Sequence, residues 1–305
     1  MQVTSDVRGD TVDARWAGFK DLEIATTRGR LHALAGGQGR PVLLLHGYPQ
    51  THEMWHAQAR CLAEGHRVIA PDLRGYGQSV STCDDFSFRA MAEDMVELMA
   101  TLGHESFDVI GHDRGARVAH RMALDHDQVV RSLALLDILP TLDVWRQMDA
   151  GLGLRYYHWL FLAQGGRLPE TLINARPLFY LEHALRGLGG SRVTFDEAAL
   201  ASYRRAAENP SVVEAWCKDY QSAATVDRDH DLADQGRTSE VPTLVLWGEE
   251  GTVPLYEDPL PLWQAWFPSA TGTGLPGGHF IAEECPDQVT ARLIDHLAGS
   301  ARESA

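Results

Sequence analysis

Residues 107–115 of the chain, FDVIGHDRG, predict a buried strand, a sharp turn and the start of a helix. Gly111 and Gly115 permit the tight turn that pushes the side chain of Asp113 out of the strand–helix junction. A serine or cysteine at this point would predict acyl transfer. A carboxylate instead predicts attack on a carbon that bears a leaving group, through an ester with the enzyme. We therefore take Asp113 as the candidate nucleophile.

The composition of the 305 residues is that of a globular protein, with 44% hydrophobic and 23% charged residues. A formal net charge of -15 argues against a nucleic-acid surface and against anchoring to anionic lipid. The four cysteines are scattered, which predicts neither a disulfide framework nor a metal site. The first 20 residues lack the apolar region of a signal peptide, and no window approaches 18 consecutive apolar residues. We expect a cytoplasmic protein without a membrane span.

Short apolar runs alternate with helical patterns along most of the chain. Residues 22–25 and 30–35 predict an antiparallel hairpin, and residues 87–102 predict an amphipathic helix. The other predicted strands are Pro41–Leu45, Arg67–Ala70, Phe107–Gly111, Ser132–Asp137 and Pro242–Trp247. Strands separated by helix-length segments indicate an α/β fold, a mostly parallel sheet with helices on both faces.

This alternation stops at Pro140, where an aromatic-rich stretch of helical character begins. A helical insertion after a core strand is best explained as a cap over the C-terminal edge of the sheet, where ligands bind in open α/β folds. We therefore predict a core of residues 1–139, a helical cap of residues 140–228 and a second part of the core at residues 229–305.

Two loops at this edge carry candidate groups for hydrolysis of an ester on Asp113. The loop after the strand 41–45 places the backbone N–H of Tyr48 where, together with that of Arg114, it could form an oxyanion hole. His279 lies in a glycine turn, Pro-Gly-Gly-His-Phe, near the end of the chain, where it could activate the hydrolytic water.

A carboxylate should orient the imidazole of His279. Asp137, at the end of the strand 132–137, gives the chain order nucleophile, acid, base, and it needs a partner because it closes a buried strand. Glu249 and Glu250, which follow the strand 242–247, are the alternative acids.

Arg114 and Arg117 are three residues apart and share one face of the predicted helix. Beside Asp113 they could bind a substrate carboxylate and keep the nucleophile ionised. The alternative is that Arg117 is a surface residue of that helix.

Several longer stretches resemble the haloacetate (fluoroacetate) dehalogenase family of the α/β-hydrolase superfamily. They are HGYPQTHEMW (46–55), PDLRGYGQS (71–79), GHDRGARVAHRMALDH (111–126), LLDILPT (135–141), YYHWLFLAQ (156–164), WCKDYQSAATVDRDHD (216–231) and GGHF (277–280). The resemblance implies an α/β-hydrolase fold with Asp113 as nucleophile, Asp137 and His279 as the hydrolytic pair, and Arg114 and Arg117 as carboxylate binders. It also implies a halide pocket of His158, Trp159 and Tyr220, whose N–H and O–H groups suit a poor leaving group such as fluoride.

The resulting hypothesis is an enzyme that converts a short 2-haloacid and water to glycolate and halide, without cofactor or metal. The resemblance implies a homodimer. Leu188 departs from the family, because relatives often carry tryptophan near this position. This difference puts the preferred halogen and the chain length of the substrate in question. An epoxide hydrolase that uses the same machinery, with Tyr156 or Tyr157 as donor, is the nearest alternative. A non-catalytic ligand receptor on the same scaffold is the other.

Overall fold

A twisted sheet of ten strands forms the centre of the described structure, a computed structural model covering residues 6–8, 13–191, 193–256 and 258–303. The strands are β1 (Asp6–Arg8), β2 (Lys20–Thr26), β3 (Gly29–Gly36), β4 (Arg40–Leu45), β5 (His66–Pro71), β6 (Val80–Ser81), β7 (Phe107–His112), β8 (Val130–Leu136), β9 (Thr243–Gly248) and β10 (Thr271–Leu275). Their order is β1-β2-β3-β5-β4-β7-β8-β9-β10, with β6 paired to β3. Neighbouring strands along β5-β4-β7-β8-β9-β10 are parallel. The pairs β1-β2, β2-β3, β3-β5 and β3-β6 are antiparallel.

Helices cover the sheet and form the insertion above it. They are α1 (His56–Leu62), α2 (Phe88–Thr101), α3 (Arg114–Asp125), α4 (Thr141–Arg146), α5 (Ala150–Arg155), α6 (Tyr157–Leu162), α7 (Leu168–Ala175), α8 (Pro177–Leu188), α9 (Glu197–Ala207), α10 (Pro210–Ala224), α11 (Val226–Ala233), α12 (Val253–Tyr256), α13 (Pro259–Gln264), α14 (Ile281–Glu284) and α15 (Pro286–Glu303). Short 3₁₀ turns occur at Ala14–Trp16 and His52–Trp55.

Helix α2 follows the spacing of apolar residues from which the amphipathic helix at residues 87–102 was predicted. The hydroxyl of Ser87 accepts a hydrogen bond from the amide of Ala90 and so caps the first turn. Apolar side chains three or four residues apart, such as Met91, Met95 and Leu98, are buried against the sheet. The predicted helix is therefore confirmed, with Ser87 as its cap.

Every predicted strand is present, with ends shifted by one or two residues. The structure adds β1, β6 and β10, which the sequence pattern missed. The residues of β10, TGTGL, contain only one large apolar side chain, because this strand lies at the edge of the sheet. The terminal helix α15 runs from Pro286 to Glu303.

The insertion lies between β8 and β9, where the described residues contain eight helices, α4 to α11, and no strand. Helix α11 runs across the expected cap boundary at residue 228, so the division into core and cap segments stays a prediction. Among the described residues no helix combines the length and the apolar character that a membrane crossing requires.

Candidate active site

Asp113 stands at a sharp turn between β7 and α3, with φ 45° and ψ −113°. This backbone conformation is costly for a residue with a Cβ, and such strain concentrates at functional sites. The glycines around Asp113 are required by packing, because a Cβ on Gly115 would clash with the carbonyl oxygens of Leu45 and His46. Asp113 is therefore held at the tip of the turn, as the sequence predicted.

The loop after β4 reaches the nucleophile from the opposite side. The backbone N–H of Tyr48 donates a hydrogen bond to Oδ2 of Asp113 over 3.0 Å. The amide of Arg114 begins helix α3 directly after Asp113. Of the two expected oxyanion donors, the amide of Tyr48 thus contacts the carboxylate of Asp113, and the amide of Arg114 follows Asp113 directly in the chain.

His279 and Asp137 form a hydrogen-bonded pair beside the turn. Nδ1 of His279 lies 2.6 Å from Oδ2 of Asp137, whose Oδ1 accepts the backbone N–H of Gly248 over 2.8 Å. Asp137 follows β8 directly, with φ 51°. It is Asp137 that the structure places at the imidazole, whereas Glu250 accepts hydrogen bonds from the amide and hydroxyl of Ser191. Nε2 of His279 remains as the nitrogen available for proton transfer.

The charges around Asp113 and His279 shift the pKa values of these two groups in opposite directions. Burial alone would raise the pKa of Asp113, but the positive charges of His279 and Arg114 lower it to about 2. Burial alone would lower the pKa of His279, but the hydrogen bond that its Nδ1 donates to Asp137 and the charges of Asp137 and Asp113 raise it. Asp113 is therefore ionised at neutral pH, as a nucleophile must be.

Arg117 faces the cavity above Asp113. Its Nη1 donates to the carbonyl of Leu139 over 3.0 Å and to the hydroxyl of Thr141 over 2.9 Å, while its buried Nε has no hydrogen-bond partner. Burial and the charge of Arg114 lower the pKa of Arg117. Only 3% of Arg117 is exposed, so the alternative of a surface arginine is wrong.

Arg114 is turned toward the cap instead. Its Nε donates to Oδ2 of Asp219 over 2.9 Å, and its Nη2 also contacts that carboxylate. The hydroxyl of Tyr76 donates to the same Oδ2 over 2.6 Å. Nη1 of Arg114 is buried without a hydrogen-bond partner, and Arg114, unlike Arg117, does not line the cavity. Sequence reasoning missed Asp219, whose signal was an acid directly before Tyr220 on the same helix.

The cap brings its aromatic residues over the nucleophile. His158 and Trp159 line the cavity, and the ring of Tyr220 packs against both, with centroid distances of 5.6 and 5.9 Å. The hydroxyl of Tyr220 is buried without a hydrogen-bond partner. Burial lowers the pKa of His158 to about 3, so its imidazole is neutral and carries one N–H.

These groups enclose a very small cavity. It is lined by Asp113, Arg117, Asp137, Ile138, Tyr156, His158, Trp159, Leu188 and His279. Its volume of about 10 Å³ corresponds to roughly one water molecule. A second cavity of about 150 Å³ lies on the outer side of His158 and Leu188, which line both. Leu188 also contacts the loop that carries His279, because its backbone carbonyl accepts a hydrogen bond from the backbone N–H of His279 over 3.1 Å.

One group of potential metal ligands lies outside the cavity in the described structure, at His32, His52 and Asp72. Burial alone would lower the pKa of His32, but hydrogen bonds with Asp21 and Asp72 raise it to about 9. An imidazolium does not bind a metal ion, and both oxygens of Asp72 already accept backbone and imidazole donors. We interpret the group as a structural hydrogen-bond network.

Comparison with known proteins identifies the class. Residues 40–286 match the family described as alpha/beta hydrolase fold, and the chain therefore belongs to the α/β-hydrolases. It is similar to fluoroacetate dehalogenase from Burkholderia sp, with 40% identity over 291 residues that cover 93% of this chain and 95% of that protein. It is also similar to soluble epoxide hydrolase from Corynebacterium sp. (strain C12), with 33% identity over 273 residues that cover 88% and 94%.

Among solved structures, ALR0039 from Nostoc sp PCC 7120 matches with a TM-score of 0.90 and 45% identity, covering 92% of this chain and 99% of that chain. The expected fold and the expected resemblance to haloacetate dehalogenases are confirmed.

Proposed function

We propose that this hydrolase converts a short 2-haloacid such as fluoroacetate, with water, to glycolate and halide. One observation carries the proposal. An ionised carboxylate, a His–Asp pair and a buried guanidinium converge on one enclosed cavity, and these are the groups that displacement of halide from a short carboxylate requires. The similarity to fluoroacetate dehalogenase supports the same activity.

In the first step, Arg117 binds the substrate carboxylate. A carboxylate oxygen of Asp113 attacks the carbon that bears fluorine, opposite the C–F bond. The C–O bond forms while fluoride departs with the bonding electrons. His158, Trp159 and Tyr220 would donate hydrogen bonds to the departing ion, which fluoride needs because it is strongly hydrated in water.

In the second step, Nε2 of His279 takes a proton from water, and the resulting hydroxide attacks the ester carbonyl of Asp113. Tyr48 and Arg114 stabilise the oxyanion through their backbone N–H groups, each worth about 3–4 kcal/mol in comparable sites. The tetrahedral intermediate collapses and the glycolate oxygen takes the proton from His279. Asp113, left as the carboxylic acid, then releases its proton to solvent and recovers its carboxylate.

An epoxide hydrolase is the second candidate. Tyr156 lines the cavity and could donate to an epoxide oxygen, and one similar protein is a soluble epoxide hydrolase. The buried guanidinium of Arg117 favours the haloacid, because an uncharged epoxide has no carboxylate for it to bind. Incubation with styrene oxide and with fluoroacetate separates the two, because one yields a diol and the other fluoride.

The direct test measures halide release from fluoro-, chloro- and bromoacetate, with Asp113→Asn as the matched inactive variant. Turnover in heavy-oxygen water should place the label in the carboxylate of Asp113. Label found only in the alcohol of the product would rule out the ester. Tight binding of haloacids without any turnover would instead support a receptor.

Homodimer formation and cytoplasmic location are further proposals. Sedimentation velocity tests the first, and cell fractionation tests the second.

A further inference from the structure

The cavity wall contains a hydroxyl that the defluorination steps do not use. Tyr156 lines the cavity together with Asp113 and Arg117, and its ring stacks on that of Trp159 with a centroid distance of 6.0 Å. The adjacent Tyr157 lines only the outer of the two cavities. Of the two tyrosines considered for an epoxide oxygen, Tyr156 is thus the one beside the nucleophile.

The hydroxyl of a tyrosine can transfer its proton to an alkoxide, whereas an indole N–H can only donate a hydrogen bond. Fluoride leaves as a stable anion and requires only hydrogen bonds, whereas an alkoxide is strongly basic and requires a proton. Burial and the charge of Asp137 raise the pKa of Tyr156, and a hydrogen bond with Thr252 opposes this rise only in part, so the hydroxyl keeps its proton at neutral pH. The wall therefore holds a proton donor next to the donors of the halide pocket.

We propose that the same site opens short 2,3-epoxy carboxylates, of which glycidate (oxirane-2-carboxylate) is the smallest. The inference rests on the proposed function, because it assigns Asp113, Arg117 and His279 the same roles. Glycidate carries the anionic group that a buried, cavity-lining guanidinium binds, and its C2–O bond takes the place of the C–F bond of fluoroacetate. It is only slightly larger than fluoroacetate.

The atoms and charges of the reaction balance. Asp113 attacks C2, the C2–O bond breaks, and the oxygen, still attached to C3, takes the proton of Tyr156. His279 then activates water against the ester of Asp113, as in the haloacid reaction, and glycerate is released. The proton set free when Asp113 regains its charge returns to Tyr156. The net reaction is glycidate plus water to glycerate.

The test incubates the full-length protein with racemic glycidate and follows glycerate by NMR, with Asp113→Asn as the blank for spontaneous hydrolysis. Glycidol, an uncharged epoxide of similar size, is the matched substrate control, and we expect at least a roughly tenfold lower kcat/KM for it because it lacks the carboxylate. The same preparation is assayed for fluoride release from fluoroacetate. Fluoride release without glycerate formation overturns this inference alone. Glycerate formation without fluoride release overturns the proposed haloacid activity and leaves the epoxy-acid activity standing, and absence of both overturns both.

Two tyrosine-to-phenylalanine variants test whether Tyr156 is the proton donor for the epoxide oxygen. Tyr156→Phe should lower kcat on glycidate by roughly 10²-fold, as expected for loss of a general acid, and lower fluoride release by no more than about threefold. Tyr157→Phe is the matched control and should change neither rate by more than about twofold, because its ring lies in the outer cavity. Equal losses on both substrates in Tyr156→Phe, with an unchanged melting temperature, would show that Tyr156 only shapes the cavity and would overturn its role as donor.

Discussion

The guanidinium of Arg114 is paired with the carboxylate of Asp219, with Nε 2.9 Å from Oδ2, and both side chains are completely buried. The neighbouring Arg117 instead lines the substrate cavity. Two arginines that are alike in sequence therefore differ in their tasks. In the proposed reaction Arg117 holds the substrate carboxylate, whereas Arg114 joins helix α3 to the cap helix α10 through Asp219.

This difference predicts different defects for two similar substitutions. Arg117→Gln should raise KM for fluoroacetate by roughly tenfold to a hundredfold, the equivalent of one charge-assisted hydrogen bond of about 1.5–3 kcal/mol. Arg114→Gln should mainly destabilise the fold, by about 3–5 kcal/mol, because it leaves Asp219 buried without its partner. Steady-state kinetics and thermal unfolding of both variants check this. A larger rise in KM for Arg114→Gln than for Arg117→Gln would contradict the assignment.

His279→Asn should stop the reaction after the first step, since no base would then activate water. Incubated with fluoroacetate, the variant should release one equivalent of fluoride and gain the mass of a carboxymethyl group on the peptide that contains Asp113. Digestion and mass spectrometry measure this gain. The double variant that also carries Asp113→Asn is the control and should remain unmodified. Normal turnover by His279→Asn would remove the base from its assigned role.

The pKa shifts predict a burst of fluoride at acidic pH. Asp113, with a pKa of about 2, stays ionised and continues to attack the substrate. His279 has a raised pKa, and it loses its function as a base when it is protonated below that pKa, so ester hydrolysis slows as the pH falls. Ester formation removes the charge of Asp113 and with it one cause of the raised pKa of His279, while the hydrogen bond that His279 donates to Asp137 remains.

Rapid-quench experiments at about pH 5, below the ordinary imidazole pKa, should show one rapid equivalent of fluoride per site and then slow turnover. Near pH 8 the burst should give way to faster steady turnover. A linear time course at low pH would mean that the first step, and not the second, limits the rate there.

Trp159→Phe should reduce turnover of fluoroacetate more than that of bromoacetate. The change keeps an aromatic ring against Arg117, 4.6 Å from the guanidinium carbon in the native protein, but removes the indole N–H. Fluoride depends on such donors more than bromide does, because bromide is the better leaving group. We expect a roughly tenfold larger loss for fluoroacetate, measured as kcat for each acid. Equal losses would indicate that Trp159 contributes packing rather than a halide pocket.

Much of this architecture could be predicted without coordinates. The central strands are continuous apolar runs because both faces of a parallel sheet are buried, and such runs are visible in the sequence. The turn at Asp113 was predictable because only glycines tolerate the close approach of the loop after β4. The edge strand β10 was not, because strands with one exposed side need few apolar residues.

The sequence by itself determined the α/β framework, the turn that carries Asp113 and the chain order of Asp113, Asp137 and His279, since these depend on local turns and on the periodicity of burial. Only the tertiary structure decided which acid meets His279, that Arg114 pairs with Asp219, and that Leu188 lies between the inner and outer cavities. These contacts join residues distant along the chain, and their partners depend on how the cap helices rest on the sheet, which no local pattern encodes.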